Sequence, residues 1–546
     1  MNMLADQTAI MLLAAAPAVP LLLVAAAIVP RARQRLIACL PFAPVPAIIA
    51  AIVVPHGTSV VLPQALLGLT LQIDKPGAIM LGSSALLWIA GGIYARSSIT
   101  VRAERFAVWW LTTLAGSLGV FLAADMIGFY FFYTLVSLAA YGLVVHDDTP
   151  ESYRAGRVYV ALALLGEALL LMALVLLTAG APGGSTLIGD AVAVLLASPW
   201  REPALFLIIS GFGLKIALVP LHVWMPLTYA AAPTPAAAVL SGAAVNAGVV
   251  GLMRFLPFDT AMPAWGEALA VIGLLSALYG VIIGVTQTNP KAILAYSSIS
   301  QMGFIATVLG MGLATGNTAV PLIVAFYAAH HALAKGGLFL ALGLLDARYP
   351  RYVWLVLLPA ALLALGLAGF PLTGGQFAKM AAKGPLGDGA VGSLAHLSAA
   401  GSALLMLFFL LRLDTTHPQS MAKPASNPPV AAWLAVSFAA LVLPWILFPA
   451  VVGESWSQAL TGKELSGASW PIIAGGLLTA VLWSRRASLP NIPPGDLLVL
   501  WERCVPAARH IASAFERIDA ALHQWSVASA CIVLLVLLTV LTLAAS

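Results

Sequence analysis

Apolar runs of about twenty residues, the length a helix needs to cross a bilayer, follow one another almost from end to end of this chain. They fall near 8–30, 36–54, 77–95, 107–124, 126–145, 156–179, 204–223, 234–256, 267–288, 291–311, 319–345, 355–377, 391–413, 431–452, 468–484 and 526–545. The expected fold is an all-α polytopic membrane protein with about 14–16 transmembrane helices. Composition agrees: 61% of residues are hydrophobic, 9% are charged and the mean hydropathy is +0.99. A soluble domain carries about 25% charged residues, so no separate soluble domain is expected. The net charge of +5 is small for 546 residues and sits in short loops, where it bears on topology and gives no sign of nucleic acid.

Arginines orient the spans. Arg31, Arg33 and Arg35 follow the first, Arg96, Arg102 and Arg105 the third, Arg154 and Arg157 the fifth, Arg348 and Arg351 the eleventh, Arg485 and Arg486 the fifteenth. All are exits on one side, which the positive-inside rule makes cytoplasmic, so both termini are expected outside, in a bacterial cell membrane. The run from Thr8 to Pro30 is long enough to span and has no positively charged region before it, so no cleavable signal peptide is expected. Cys39, Cys504 and Cys531 are scattered, with no spacing for a cluster or zinc, and no Rossmann, Walker or haem motif occurs. The expectation is no cofactor, no metal and no catalytic residue.

Between the last two spans, residues 493–525 repeat apolar positions at intervals of three and four, from Trp501 and Val505 to Leu522 and Trp525. This reads as an amphipathic helix on the membrane surface or against a partner, or as a plain connector.

Ionisable residues inside apolar runs ask for a purpose. Lys215 stands in a run that Pro220 interrupts, with His222 just beyond, and Lys379 follows a second interruption at Pro371, Gly374 and Gly375. Paired helices broken by glycine and proline in two halves of a chain point to inverted repeats and a pathway at mid-membrane. Glu167 lies in LALLGEALLLM, and His330, His331 and Lys335 lie in FYAAHHALAKGG. His331 and Lys335 are four apart, on one helix face, so a proton can pass between them. His330 reads as polar packing or relay, His222 as anchor or relay, and Lys379 as relay or as a side chain reaching an interface. Asp74, Lys75 and Asp125 read as interfacial and structural.

The order of these motifs resembles a known family. Lys215, Pro220, His222, Trp224, Pro226 and Pro233-Thr234-Pro235 are followed by Gln287-Thr288-Asn289-Pro290-Lys291 and by Leu294-Ala295-Tyr296 running to Gln301-Met302-Gly303. Next come His331-Ala332 with Lys335, then Gly369-Phe370-Pro371-Leu372-Thr373-Gly374-Gly375 with Lys379. Over about residues 70–413 this is similar to the antiporter-like proton-pumping subunits of respiratory complex I, Mrp-type cation/proton antiporters and formate hydrogenlyase-type hydrogenases. The resemblance implies two inverted five-helix repeats near 107–256 and 267–413, each with one broken helix, preceded by N-terminal helices over 1–106 and followed by C-terminal helices over 414–546. It also implies a proton relay through Lys215, His331, Lys335 and Lys379, with Glu167, His222 and His330 as further relay or tuning residues.

Three positions depart from the family pattern. Thr134 stands where relatives place a glutamate, in a stretch resembling WExxSLxSYLL, Asn246 where many have a lysine, and Tyr327 where many have a first histidine. Glu167, one helix later, is the candidate replacement for the acid missing at 134. The resemblance implies a proton-translocating subunit of a complex I-like or hydrogenase-like assembly, with other membrane subunits and the bilayer as partners. The alternatives are a subunit of a Mrp-type Na⁺/H⁺ antiporter or of a gradient-driven inorganic-carbon uptake system, and a scaffold without transport. An oxidoreductase activity would belong to the assembly alone.

Overall fold

The computed structural model describes residues 2–346, 353–415, 430–453 and 455–498. The last apolar run at 526–545, nearly all of the amphipathic segment 493–525, Arg348, Arg351, Cys504 and Cys531 lie outside the described residues. Within them the chain is almost entirely helical. It opens with α1 (Asn2–Ala26), then the short α2 (Leu36–Cys39) and α3 (Val45–Val53). Pro41, Pro44 and Pro46 lie at or near the join, and each removes a backbone donor and breaks helical continuity. The pair still works as one kinked crossing: Leu40 meets Gly92 and Ala51 meets Gly82, so it runs antiparallel to the long α4 (Lys75–Ser98).

A two-stranded hairpin, β1 (Ser59–Leu62) with β2 (Leu69–Gln72), precedes α4 and was not expected from the apolar pattern. Asp125 explains its position. One carboxylate oxygen accepts from the Thr70 N–H at 2.7 Å and the other from the Gly128 N–H at 2.6 Å. The same buried side chain thus caps the next helix and holds the strand, which is the structural role expected of it.

Two runs of five crossings follow. The first is α5 (Ala103–Leu122), α6 (Met126–Val144), α7 (Pro150–Gly180), a broken helix made of α8 (Arg201–Lys215) and α9 (Trp224–Ala231), and α10 (Thr234–Phe255). The second is α11 (Pro263–Gly284), α12 (Pro290–Thr315), α13 (Val320–Asp346), a broken helix made of α14 (Val353–Ala368) and α15 (Gly374–Leu386), and α16 (Ala390–Thr415). In both, the fourth crossing is the broken one. Five is odd, so the second run starts from the opposite side and is inverted relative to the first. The helices α17 (Val430–Val452) and α18 (Gly462–Ser484) complete the described part.

Twelve described helices are long and apolar enough to cross a membrane. The two broken helices and the kinked α2–α3 segment make further crossings, within the expected number. The innermost are α10, α12 and α13, each entirely buried over its membrane-length window. They carry or flank the ionisable residues that follow.

Candidate functional site

The first helix break positions Lys215. The residue ends α8, Pro220 lies in the interruption, and Ala217 takes a positive φ of 58° to turn the chain. Trp224 closes the gap from the far side, its indole N–H donating to the Leu214 carbonyl at 3.0 Å, while the Val219 N–H is held by Ser276 Oγ of α11 at 2.9 Å. A cation at a helix C-terminus meets the negative end of the helix dipole, which offsets part of the loss of water. Lys215 is buried, its Nζ donates to Ser137 Oγ at 2.9 Å, and it lies 5.6 Å from the centre of the Tyr133 ring.

Glu167 comes to this site from α7. Gly166 and Gly211 face one another without side chains, so α7 and α8 approach closely: a Cβ on Gly211 would stand 3.4 Å from the Gly166 carbonyl. Thr134 Oγ1 then donates to Glu167 Oε2 at 2.7 Å, and the other oxygen, Oε1, is buried without a hydrogen-bond partner among the described residues. Glu167 and Lys215 are each bonded to a hydroxyl of α6, Thr134 and Ser137 respectively. Glu167, the candidate replacement for an acid at 134, thus touches Thr134 directly.

His222 is buried in the break, its ring 4.9 Å from that of Tyr279 and 6.4 Å from that of Tyr296. Asn246, buried in α10 just after the π turn Leu240–Ala244, donates to the Gly242 carbonyl at 2.9 Å. Gly242 in turn packs on the Ala332 carbonyl of α13, so the first run meets the central helix directly beside His331.

Lys335 is wholly buried near the middle of α13, and its Nζ donates to the Leu294 carbonyl of α12 at 2.8 Å. His331 lies one turn earlier, equally buried, with neither ring nitrogen hydrogen-bonded among the described residues. Tyr327, one turn earlier again, begins a polar chain. Its hydroxyl donates to Gln301 Oε1 at 2.5 Å, and Gln301 Nε2 donates to Ser402 Oγ of α16 at 3.1 Å.

At the second break, Gly369 (φ 88°) and Leu372 (φ 65°) turn the chain around Pro371. A Cβ at Gly375 would stand 1.7 Å from the Gly366 carbonyl, so α15 packs on α14 only with glycine there. Lys379 does not reach outward: it folds back and donates to Ala368 O, the carbonyl that ends α14, at 2.6 Å. Both broken helices thus bring a lysine to the C-terminal end of their first half. Lys379 lines a cavity of about 270 Å³ that also takes in His396, Asp388 and the ion pair between Lys383 and Glu464. His330 faces this break, packed against Gly366 and Gly374, while His331 faces Lys335.

Ser137, Gln301, Ser402 and the Leu294 carbonyl were not among the sequence-derived candidates. Ser137 and Gln301 lie inside the motifs quoted above, but a hydroxyl or amide there carries no sign of its partner. The carbonyl carries no signal at all.

A family profile described as the transmembrane part of NADH:quinone oxidoreductase and Mrp antiporters matches residues 123–382, which contain both breaks and Lys215, Lys335 and Lys379. NADH-quinone oxidoreductase subunit N of Geotalea uraniireducens is 32% identical over 327 residues, covering 56% of this chain and 68% of that one. The chain belongs to the NADH:quinone oxidoreductase/Mrp antiporter family of membrane subunits. Another family member, hydrogenase-4 component B of Escherichia coli K12, is 30% identical over 296 residues, covering 51% of this chain and 44% of its own length. The chain spans about half the length of the first curated relatives it matches. Among solved structures, the Mrp complex of Dietzia sp. DQ12-45-1b holds a chain that covers 99% of this one, and 63% of itself, at 22% identity and a TM-score of 0.78; that likeness is one of fold.

Proposed function

We propose that this chain is a proton-translocating, antiporter-like subunit of a multi-subunit complex I-like or hydrogenase-like assembly in the cell membrane. The observation that supports this reading best is the pairing of two helix breaks with Lys215 and Lys379 at their C-terminal ends, with Lys335 on the unbroken helix between them. Lys215, His331, Lys335 and Lys379 take up and release protons in turn as water enters and leaves their surroundings. Glu167 sets the charge of Lys215 from α7 in place of the acid relatives carry at 134, and His222 and His330 sit beside the two breaks as tuning residues. Conformational or electrostatic change in neighbouring subunits supplies the driving force. Redox chemistry of the assembly falls to those other subunits.

Proton flux into liposomes carrying the purified complex tests this reading, with Lys215→Ala and Lys335→Ala as comparisons. Each should reduce flux by about a hundredfold or more, the lower end of what a positioned proton-transfer group contributes. Equal flux in all three samples supports the scaffold reading, for which Thr134, Asn246 and Tyr327 speak.

A second reading, a subunit of a Mrp-type Na⁺/H⁺ antiporter, is favoured by the fit of nearly the whole chain to a Mrp subunit. Copurifying the native complex separates the two: hydrogenase or quinone-reductase subunits support the first, small antiporter subunits the second.

A further inference from the structure

A second cavity, about 390 Å³, lies apart from Lys215, Lys335 and Lys379, between α3, α4, α13 and α17. Its wall on α4 runs from Lys75 through Ala78, Ile79, Gly82 and Ser83 to Leu86. These are positions on one helix face spanning eleven residues, or about 16 Å. It opens toward the apolar belt, since its own Ile52 is 78% exposed and Ile446 on the adjoining α17 is 61% exposed. The occupant therefore comes from the bilayer.

Three features define its chemistry. At the end where α3 stops and α4 begins stand His56 and Lys75, both exposed, and no acid lines the cavity. The neighbouring Asp74 is turned away, accepting from the Gly77 N–H at 2.7 Å and lying 3.9 Å from Arg254. Deeper in the wall stands the ring of His330, only 4% exposed. Beyond it the lining is hydrocarbon, Leu86 and Leu333 among it. An anionic group at one end, a polar linkage further in and an apolar tail is the order of groups in a phospholipid with an acidic head.

We propose that this cavity is a binding site for one anionic phospholipid, its phosphate at Lys75 and His56, its ester region beside His330, and an acyl chain along α4 and α13. The same His330 ring packs against Gly374 at the second break, so the lipid forms part of the wall around that break.

Native mass spectrometry of the full-length protein, titrated with phosphatidylglycerol or phosphatidylcholine of identical acyl chains, tests the site. The wild type should prefer phosphatidylglycerol by at least about fivefold, the attraction expected of one well-placed cationic side chain. Lys75→Gln with His56→Gln should bring the preference close to unity while lipid of both kinds still binds. Ala450→Trp, at an exposed position of the wall, should exclude both lipids without lowering the melting temperature. Equal binding of the two lipids by the wild type, or a preference that survives the double substitution, overturns the proposal. A photoreactive benzoylphenylalanine at position 450, irradiated in membranes, supplies a separate readout. A phospholipid adduct supports the site, and cross-linking to another protein subunit overturns it.

Discussion

The Thr134 hydroxyl donates to the Glu167 carboxylate at 2.7 Å, joining α6 to the buried acid of α7. Ser137, one turn along the same helix, accepts from Lys215 Nζ at 2.9 Å. The four side chains lie close together, a carboxylate on α7 and a lysine on α8 each bonded to a hydroxyl of α6.

Glu167→Gln should lower proton flux in the reconstituted complex by about tenfold, the weight of one hydrogen-bonded buried charge. Adding Thr134→Glu to that variant returns the acid to the place relatives use and should recover much of the flux. Flux unchanged by Glu167→Gln would remove this carboxylate from the relay, and failure of the double variant to recover would tie the acid to α7 alone.

Tyr327 holds the head of the chain that continues through Gln301 to Ser402. Tyr327→Phe keeps the ring, which stacks on Phe304 with centroids 5.1 Å apart, and removes only the hydroxyl. Stability should fall by about 1 kcal/mol, with one buried amide oxygen losing its donor. A fall in flux several times larger than Gln301→Glu produces would show that the hydroxyl itself passes protons; thermal unfolding and flux on the same samples separate the effects.

At the second break, Gly375→Ala places a methyl group where the Gly366 carbonyl already stands. Displacing packed backbone should cost about 1–3 kcal/mol, read as a lower melting temperature. Gly384→Ala, in the same helix with nothing within 4 Å of the added Cβ, should instead be neutral or stabilise by about 0.5–1 kcal/mol. Equal effects would mean that the close contact between α14 and α15 yields easily.

The loop between α6 and α7 supplies a pH-dependent test outside the membrane. The Tyr153 hydroxyl, followed by Arg102 and Arg105, holds the Asp148 carboxyl below the usual carboxylate range. Because the folded value is depressed, this support is present above about pH 4, the ordinary value for aspartate, and is lost as pH falls through the lower folded value. Asp148→Asn should raise amide exchange over residues 145–153 at pH 7, and the difference from wild type should vanish at strongly acidic pH. A difference that persists there would assign the effect to backbone geometry, since Asp148 has a φ of 54°.

The sequence by itself determined the membrane setting, the crossings among the described residues, the two breaks and the identity of the buried lysines and histidines. Apolar runs of fixed length can only be buried as helices in lipid, and an ionisable residue inside such a run is visible wherever it points. Pairing, by contrast, was decided only by the tertiary structure. Lys215 found a serine rather than a carboxylate as its close partner, Lys335 a main-chain carbonyl, and Lys379 the end of its own broken helix. The hairpin at 59–72 and its anchor on Asp125 escaped the apolar pattern because four-residue strands carry too little periodicity to read. A hydrogen bond depends on which helix faces meet within 3 Å. Here glycines such as Gly166, Gly211 and Gly375 set that approach, and their effect exists only once the helices are packed.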